Sequence, residues 1–523
     1  MNRARRGAAP PPGPRGLPLL GSAPDFRRDP LETFTRAWRE YGDLVSFRGP
    51  VPVVLVTHPD HLRHILVDNF ANYPHPDDFN DKVSVSVGRG LVTTEGEEWE
   101  RQRGTVAPSF RREPLERFAE VMVDSTERML DGWERVARAG GEIDARTEMQ
   151  SLTLDILARC LFRADWSVDA RALGEAVRVQ LEHLNGKLTA VVDLPEWVPT
   201  RRNRQFTAAR TLLDETVYRL IAERRRGSGP PDTPDGDGPP DLLSMLMRAT
   251  DPVTGASMTD RQLRDQVMTL FVAGHETAAA TLSWICYLMS VQPAETERAR
   301  AEVREVLGGR PPTKDDLPRL KYLKMFVQEA LRLYPPLWQV PRMPLRDDEI
   351  GGHHIPAGTF LLLGIHLTHR HPDFWENPEG FDPERFTRER SAGRPRCAYL
   401  PYAAGPRDCA GMAFATMELT LVTASLLQRF HLDLVPGHPI VTQPDITLRA
   451  KYGIPMTLRR TDSGTDLAAH PGTGLATDLG TDTERHTPAG RQAAAADPQS
   501  EAVCPVRATA HPHHPHQGGT ATR

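Results

Sequence analysis

The residues best equipped for chemistry lie in two short runs far apart in the chain. One is Tyr402-Ala403-Ala404-Gly405-Pro406-Arg407-Asp408-Cys409-Ala410-Gly411, with a cysteine between two glycines and an arginine two residues before it. An apolar, helix-like run follows from Met412 to about Leu427. A cysteine just ahead of a helix meets converging backbone N–H groups and the positive end of the helix dipole. That setting is expected to lower the thiol pKa and favour thiolate. Glycines at 405 and 411 permit a tight turn and close approach to a flat partner. A lone thiolate in such a loop suits axial ligation of a haem iron, where it pushes electron density toward O–O cleavage. Taken alone, a cysteine near a helix start is usually a small buried hydrophobe, and it is the surrounding pattern that favours the ligand.

The other run is Ala273-Gly274-His275-Glu276-Thr277, in the middle of a long apolar helix. Thr259 and Gln262 form a capping box at its start and Pro293 stops it near Gln292. Those limits give about 32 residues and about 48 Å, enough to cross a domain. A mid-helix glycine costs about 1 kcal/mol relative to alanine, which close approach to a flat cofactor would explain. An acid–alcohol pair is expensive to bury without partners. Glu276 and Thr277 suit proton delivery, whereas a structural threonine would only bond the carbonyl four residues back. Ala279 removes a zinc-protease H-E-x-x-H reading.

Together these runs resemble the cytochrome P450 family. Gly405, Arg407, Cys409 and Gly411 match its F-x-x-G-x-R-x-C-x-G signature, with Tyr402 in place of the usual phenylalanine. Ala273 to Thr277 matches its A/G-G-x-D/E-T segment. Glu329-Ala330-Leu331-Arg332 matches E-x-x-R, with Arg385 as the expected third partner, and Trp99-x-x-x-Arg103 matches W-x-x-x-R. The resemblance covers about residues 10–460 in the expected order. It implies a mainly α fold with a small β-rich lobe, haem b (iron protoporphyrin IX) as cofactor, and Cys409 as axial ligand of the iron. It further implies Thr277 and Glu276 as the catalytic pair, and Trp99, Arg103, Arg342 and Arg407 as contacts of the haem propionates. Substrate walls are expected in residues 73–92, 183–200, 272–273, 337–340 and 452–454. Trp338 is equally suited to the cavity wall or to the core.

The implied activity is a monooxygenase that inserts one atom of O2 into a hydrophobic small molecule of terpenoid, fatty-acid or polyketide type, in natural-product metabolism. No flavin or iron–sulfur motif is present, so electrons are expected from an external ferredoxin or flavodoxin with its NAD(P)H reductase. Arg101, Arg111, Arg112, Lys321, Lys324 and Arg396 would form its basic docking face. Two other readings keep the haem: a peroxygenase or isomerase, and a non-catalytic sensor.

The elements that must position these groups are legible in outline. Residues 31–41 read as a helix, Val45 to Phe47 and Val53 to Val56 as strands, and His58-Pro59-Asp60 as a helix start. From about Trp99 the chain is mostly helical, with an Arg/Glu-rich helix from Pro293 to Leu307 and strands again between 350 and 367. A polar Gly/Pro/Asp run at 227–240 reads as a surface loop. Domain organisation is expected as a Pro/Gly-rich arm (1–25), a haem-thiolate domain (26–460) and a disordered tail (461–523) whose terminal histidines have nothing to orient them.

The 523 residues carry a formal net charge of −5, which gives no global basic field for nucleic acid. The five cysteines are dispersed and include no C-x-x-C, so neither a disulfide framework nor a zinc site is indicated. The basic, proline-rich N-terminus has no apolar run of signal or membrane-span length. A reducing, cytoplasmic setting follows as the expectation.

Overall fold

The structure is a computed structural model that describes residues 9–17, 21–49, 52–111, 115–162, 170–189, 194–226 and 241–461. The 227–240 loop, the tail beyond 461 with its histidines, Cys504 and Arg112 lie outside the described residues. All described residues belong to one unit, Met1–Ser463.

The long helix Asp260–Val291 runs through the centre. Its capping box is formed: Gln262 N–H donates to Thr259 Oγ1 at 3.3 Å and Thr259 N–H to Gln262 Oε1 at 2.9 Å. Pro293 opens the next helix, Pro293–Leu307, with Gln292 between the two. Apolar residues on most faces bury the long helix against helices Ala145–Phe162, Arg201–Arg225 and Met412–Arg429. Leu263, Val267, Leu282 and Ile285 are fully buried in that core, at about 1.5–3 kcal/mol each for a complete apolar side chain.

The described residues form four sheets. The largest has the order Leu44–Phe47, Val53–Val56, Phe360–Leu363, Val340–Arg342. Its outer pairs are antiparallel and its middle pair is parallel, with Val54 opposite Leu361. The small β lobe is therefore built from both halves of the chain. Its last strand carries Arg342 to the site. The expectation of strands up to residue 367 needs one correction. Gly364 N–H donates to Val56 O at 2.9 Å, and the ladder ends there. Ile365–Thr368 then form a short helix, held by His366 N–H on Trp338 O at 3.0 Å. A three-stranded antiparallel sheet joins Glu142–Asp144, Pro455–Arg460 and Phe430–Leu434.

The Glu329–Arg332 pair is completely buried and works as an anchor. Arg332 Nε and Nη2 donate to the two Glu329 oxygens at 2.7 and 2.8 Å. Its remaining donors reach the carbonyls of His369, Pro378 and Gly380 at 2.9, 2.6 and 2.9 Å. All five guanidinium N–H groups are thus satisfied. Arg385 joins from the other side, 3.2 Å from Glu329 Oε1, and bonds the carbonyls of Glu376 and Asn377. Charge-assisted bonds of this kind fix the irregular segment that leads to the Cys409 loop.

Candidate functional site

The loop from Tyr402 to Gly411 is shaped by backbone bonds. Cys409 N–H donates to Tyr402 O at 2.9 Å, Asp408 N–H to Gly405 O at 3.1 Å and Met412 N–H to Cys409 O at 3.3 Å. Gly405 sits at φ +78°, and a Cβ there would lie 1.9 Å from Leu66 O, so only glycine fits. Gly411 differs: a Cβ would meet nothing but Cys409 Sγ at 3.9 Å. The space beside that glycine and the thiol is open. Tyr402 finds the partner its extra hydroxyl requires in Thr416 Oγ1, at 3.2 Å on the following helix.

The Cys409 side chain is accessible and is bonded to no other cysteine among the described residues. Its depth in the protein pushes the thiol above its ordinary value, against opposing help from the Gly411 N–H and the Arg103 charge. The thiolate expected from the helix start alone is therefore not favoured by this pocket, because desolvation outweighs the local dipoles. A bound metal ion would deprotonate such a thiol outright.

On the long helix, most neighbours of the Ala273–Thr277 run are buried, yet Ala273 is exposed and Thr277 half-buried. The two are four residues apart and share one helix face. The Thr277 hydroxyl donates to Ala273 O at 2.8 Å, which leaves its oxygen free to accept on the open side. Glu276 points elsewhere, accepting from Gln150 Nε2 at 3.3 Å and from Thr447 Oγ1 at 3.2 Å. Gly274 packs on a neighbouring helix rather than on open space: a Cβ there would touch Leu157 at 3.4 Å, an ordinary contact.

The candidate propionate contacts split into two groups. Arg342, Arg407 and Trp99 converge with His75 and Glu95, two residues the sequence reading did not single out. Arg407 bonds Glu95 Oε2 at 2.5 Å and Thr94 O at 2.6 Å, and its guanidinium lies 4.4 Å over the Trp99 ring. His75 Nδ1 is 2.8 Å from Glu95 Oε1. Burial and the Arg342 charge push His75 down to about 4, so it is a neutral imidazole here. Arg103 turns instead to the loop itself, donating to Asp408 Oδ1 at 2.6 Å and to Asp408 O at 3.1 Å. No spacing rule would have pointed to Glu95 or Asp408; each is one of many exposed-looking acids in the sequence.

Arg342 is the telling member. It is 3% exposed, and its one side-chain hydrogen bond among the described residues is to Pro341 O at 2.7 Å. Burial, reinforced by the Arg407 charge, pushes it down to about 10. Two guanidinium groups here share the single carboxylate of Glu95. A buried cation without a counter-charge is costly, and the arrangement fits a group that brings carboxylates of its own. Haem does so, and beside Cys409 a Cβ on Gly411 would meet only the thiol sulfur, at 3.9 Å. The described residues contain no metal-binding cluster of His, Cys, Asp and Glu.

Trp338, equally suited to the cavity wall or the core, belongs to the core. It is 5% exposed, packs with Phe34 at 5.9 Å between ring centres, and donates to Asp445 O at 2.8 Å. Among the described residues no helix is long and apolar enough to cross a membrane.

Comparisons with known proteins place this architecture. The cytochrome P450 family profile matches residues 11–454. Cyclooctatin synthase of Streptomyces melanosporofaciens is 35% identical over 84% of this chain and 93% of its own. Cyclooctat-9-en-7-ol 5-monooxygenase of the same organism is 34% identical over 81% and 90%. Pentalenene oxygenase of Streptomyces avermitilis is 31% identical over 81% and 91%. Among solved structures, the heme domain of cytochrome P450DA superimposes with a TM-score of 0.79 at 25% identity, over 87% of this chain and 98% of that one. The chain belongs to the cytochrome P450 family. It is a monooxygenase with haem b as its cofactor, consuming O2 and an organic substrate with electrons from a redox partner.

Proposed function

We propose that Cys409 is the axial thiolate ligand of the haem iron, that Arg342, Arg407, Trp99 and Arg103 secure the propionates, and that Thr277 and Glu276 deliver protons. The observation that carries this reading is the buried Arg342 beside Arg407, one cation in excess of the carboxylates around it. The thiolate-ligated haem supplies O2 binding and the oxidising power for insertion. The surrounding residues do the rest. Arg342 and Arg407 orient the ring by charge-assisted bonds, with Trp99 stacked behind Arg407 and its indole N–H as a further donor. Arg103 braces the cysteine loop through Asp408 and keeps donors in hand for a carboxylate. Thr277 Oγ1, its proton committed to Ala273 O, accepts a hydrogen bond from water on the open face and holds that water in place. Glu276 carries protons inward from solvent.

The substrate is a hydrophobic small molecule of the terpenoid kind. Two relatives named for oxidising cyclooctat-9-en-7-ol and pentalenene support that class, and a natural-product pathway is its setting. The electron donor is an acidic ferredoxin or flavodoxin with its reductase. Exposed Arg101, Arg111, Lys321, Lys324 and Arg396 supply cationic contacts for it. The catalytic domain spans residues 26–460, and a cytoplasmic setting suits such a donor. Turnover of pentalenene or cyclooctat-9-en-7-ol under 18O2, with a surrogate ferredoxin and reductase, tests the reading. One labelled oxygen per product molecule is expected; product labelled from H2 18O instead would overturn it.

A further inference from the structure

Glu276 borders a space that none of these assignments uses. It is a solvent-open cleft of about 610 Å³ lined by helices Ala145–Phe162 and Ala170–Thr189, the long helix, and the hairpin 442–450. Most charges on its wall are already paired. Arg178 bonds Glu175 and Glu182, Arg449 bonds Asp445, and Asp155 takes Arg128. Glu276 is different. Among the described residues no cation lies within bonding distance of its carboxylate, and two neutral donors hold it, one per oxygen. Arg146 on the same wall is close enough to feel the Glu276 charge, yet its guanidinium turns to Ala450 O at 3.5 Å.

The two donors stand on fixed supports. Gln150 also receives the His275 ring on its backbone carbonyl, 3.0 Å from Nε2. Thr447 precedes Leu448, whose N–H donates to Pro336 O at 2.9 Å and whose carbonyl accepts from Trp284 Nε1 at 2.9 Å. Consecutive helix residues are about 100° apart. Glu276 therefore faces the cleft while Thr277 shares the accessible face of Ala273. Bonds of 3.2 and 3.3 Å to a carboxylate are long beside the roughly 2.7–2.9 Å of charge-assisted ones. They orient Glu276 without trapping it.

We infer that Thr447 and Gln150 are positioning residues that hold Glu276 at the boundary between this solvent-open cleft and the Thr277 face, making the cleft the proton entry for the reaction. The inference rests on the proposed role of Glu276. Each productive turnover converts R–H, O2, two electrons from the external donor and two protons into R–OH and H2O. When protons arrive wrongly, the same O2, two electrons and two protons leave as H2O2 and R–H is untouched. Loosening the Glu276 carboxylate should shift turnover toward the second outcome.

The test uses the haem-loaded protein with a surrogate ferredoxin and reductase, comparing T447V, T447S, Q150L and E276Q. Losing a hydrogen bond to a charged group should lower the ratio of product to peroxide about tenfold in T447V and in Q150L. The solvent deuterium isotope effect on turnover should rise in both, and T447S should restore wild-type values. In the resting protein, the infrared carboxylate band that disappears in E276Q should shift in T447V and Q150L and return in T447S. Haem content and the carbon monoxide spectrum report folding; if T447V loses haem, Q150L on a separate helix carries the test. An altered E276Q with unaltered T447V and Q150L would overturn the positioning role alone. An unaltered E276Q would overturn the role of Glu276 itself, and T447S behaving like T447V would show that packing, not the hydroxyl, matters.

Discussion

Replacing Glu329 with glutamine tests the anchor behind the cysteine loop. The carboxylate accepts four hydrogen bonds: two from Arg332, at 2.7 and 2.8 Å, one from Arg385 at 3.2 Å and one from the Asp382 N–H at 2.9 Å. Glutamine is nearly isosteric, so packing is retained. It presents one acceptor oxygen where two stood, turns an N–H2 toward a guanidinium, and leaves two buried cations without a counter-charge. Removing one partner of a fully buried pair costs about 3–5 kcal/mol. An exposed pair at the same i,i+3 spacing would lose at most about 1 kcal/mol. Urea unfolding is the assay, followed by fluorescence of Trp375, which is 1% exposed and lies 5.2 Å beneath the Arg332 guanidinium. With m near 3 kcal/mol/M, the midpoint should fall by roughly 1 M or more. Haem retention should fall with it, because the same arginines pin the carbonyls of Glu376, Asn377, Pro378 and Gly380. A loss below about 1 kcal/mol would refute the reasoning that this charge is both buried and indispensable.

Glu418, on the helix after the cysteine loop, is 2% exposed, and burial pushes its carboxyl up to about 8 from an ordinary 4.5. Between those values the folded state binds more protons than the unfolded one. Stability should therefore fall as pH rises from about 4.5 to 8, by about 1.4 kcal/mol per unit. E418Q should remove this slope and gain roughly 2–3 kcal/mol on wild type between pH 5.5 and 7.5; parallel unfolding curves at the two pH values would count against it. For Arg342, R342L should act with opposite signs in the two forms. The haem-free chain should be as stable or more so, because an uncompensated buried cation is gone. Haem transfer to apomyoglobin should quicken about tenfold or more, since a charge-assisted bond is worth about 1.5–3 kcal/mol; unchanged transfer would remove Arg342 from the cofactor site.

The parts of the fold written in local signals were legible. The Thr259–Gln262 box and Pro293 delimit the long helix because capping and chain-breaking act within a turn or two. The Cys409 loop was legible because its glycines and arginine are closely spaced. What lay hidden depends on contacts between distant segments. Glu142–Asp144 is a three-residue strand with two acids, unreadable by pattern and held by pairing with Pro455–Arg460. Thr447 meets Glu276 across 171 residues, and Arg103 meets Asp408 across 305. The thiol pKa went the other way from its sequence expectation for a similar reason. A dipole is local and visible, whereas the desolvation that outweighs it is a property of the assembled interior. The mid-helix Gly274, for which close approach to a flat cofactor is the expectation, packs against Leu157.

The most direct test of the account is the ferrous carbon monoxide difference spectrum of the wild-type protein and of C409S. Wild type should show the red-shifted band of a thiolate-ligated haem. C409S should lose that band while still binding haem through the arginine cluster. Persistence of the band in C409S would contradict the assignment of Cys409 as the iron ligand.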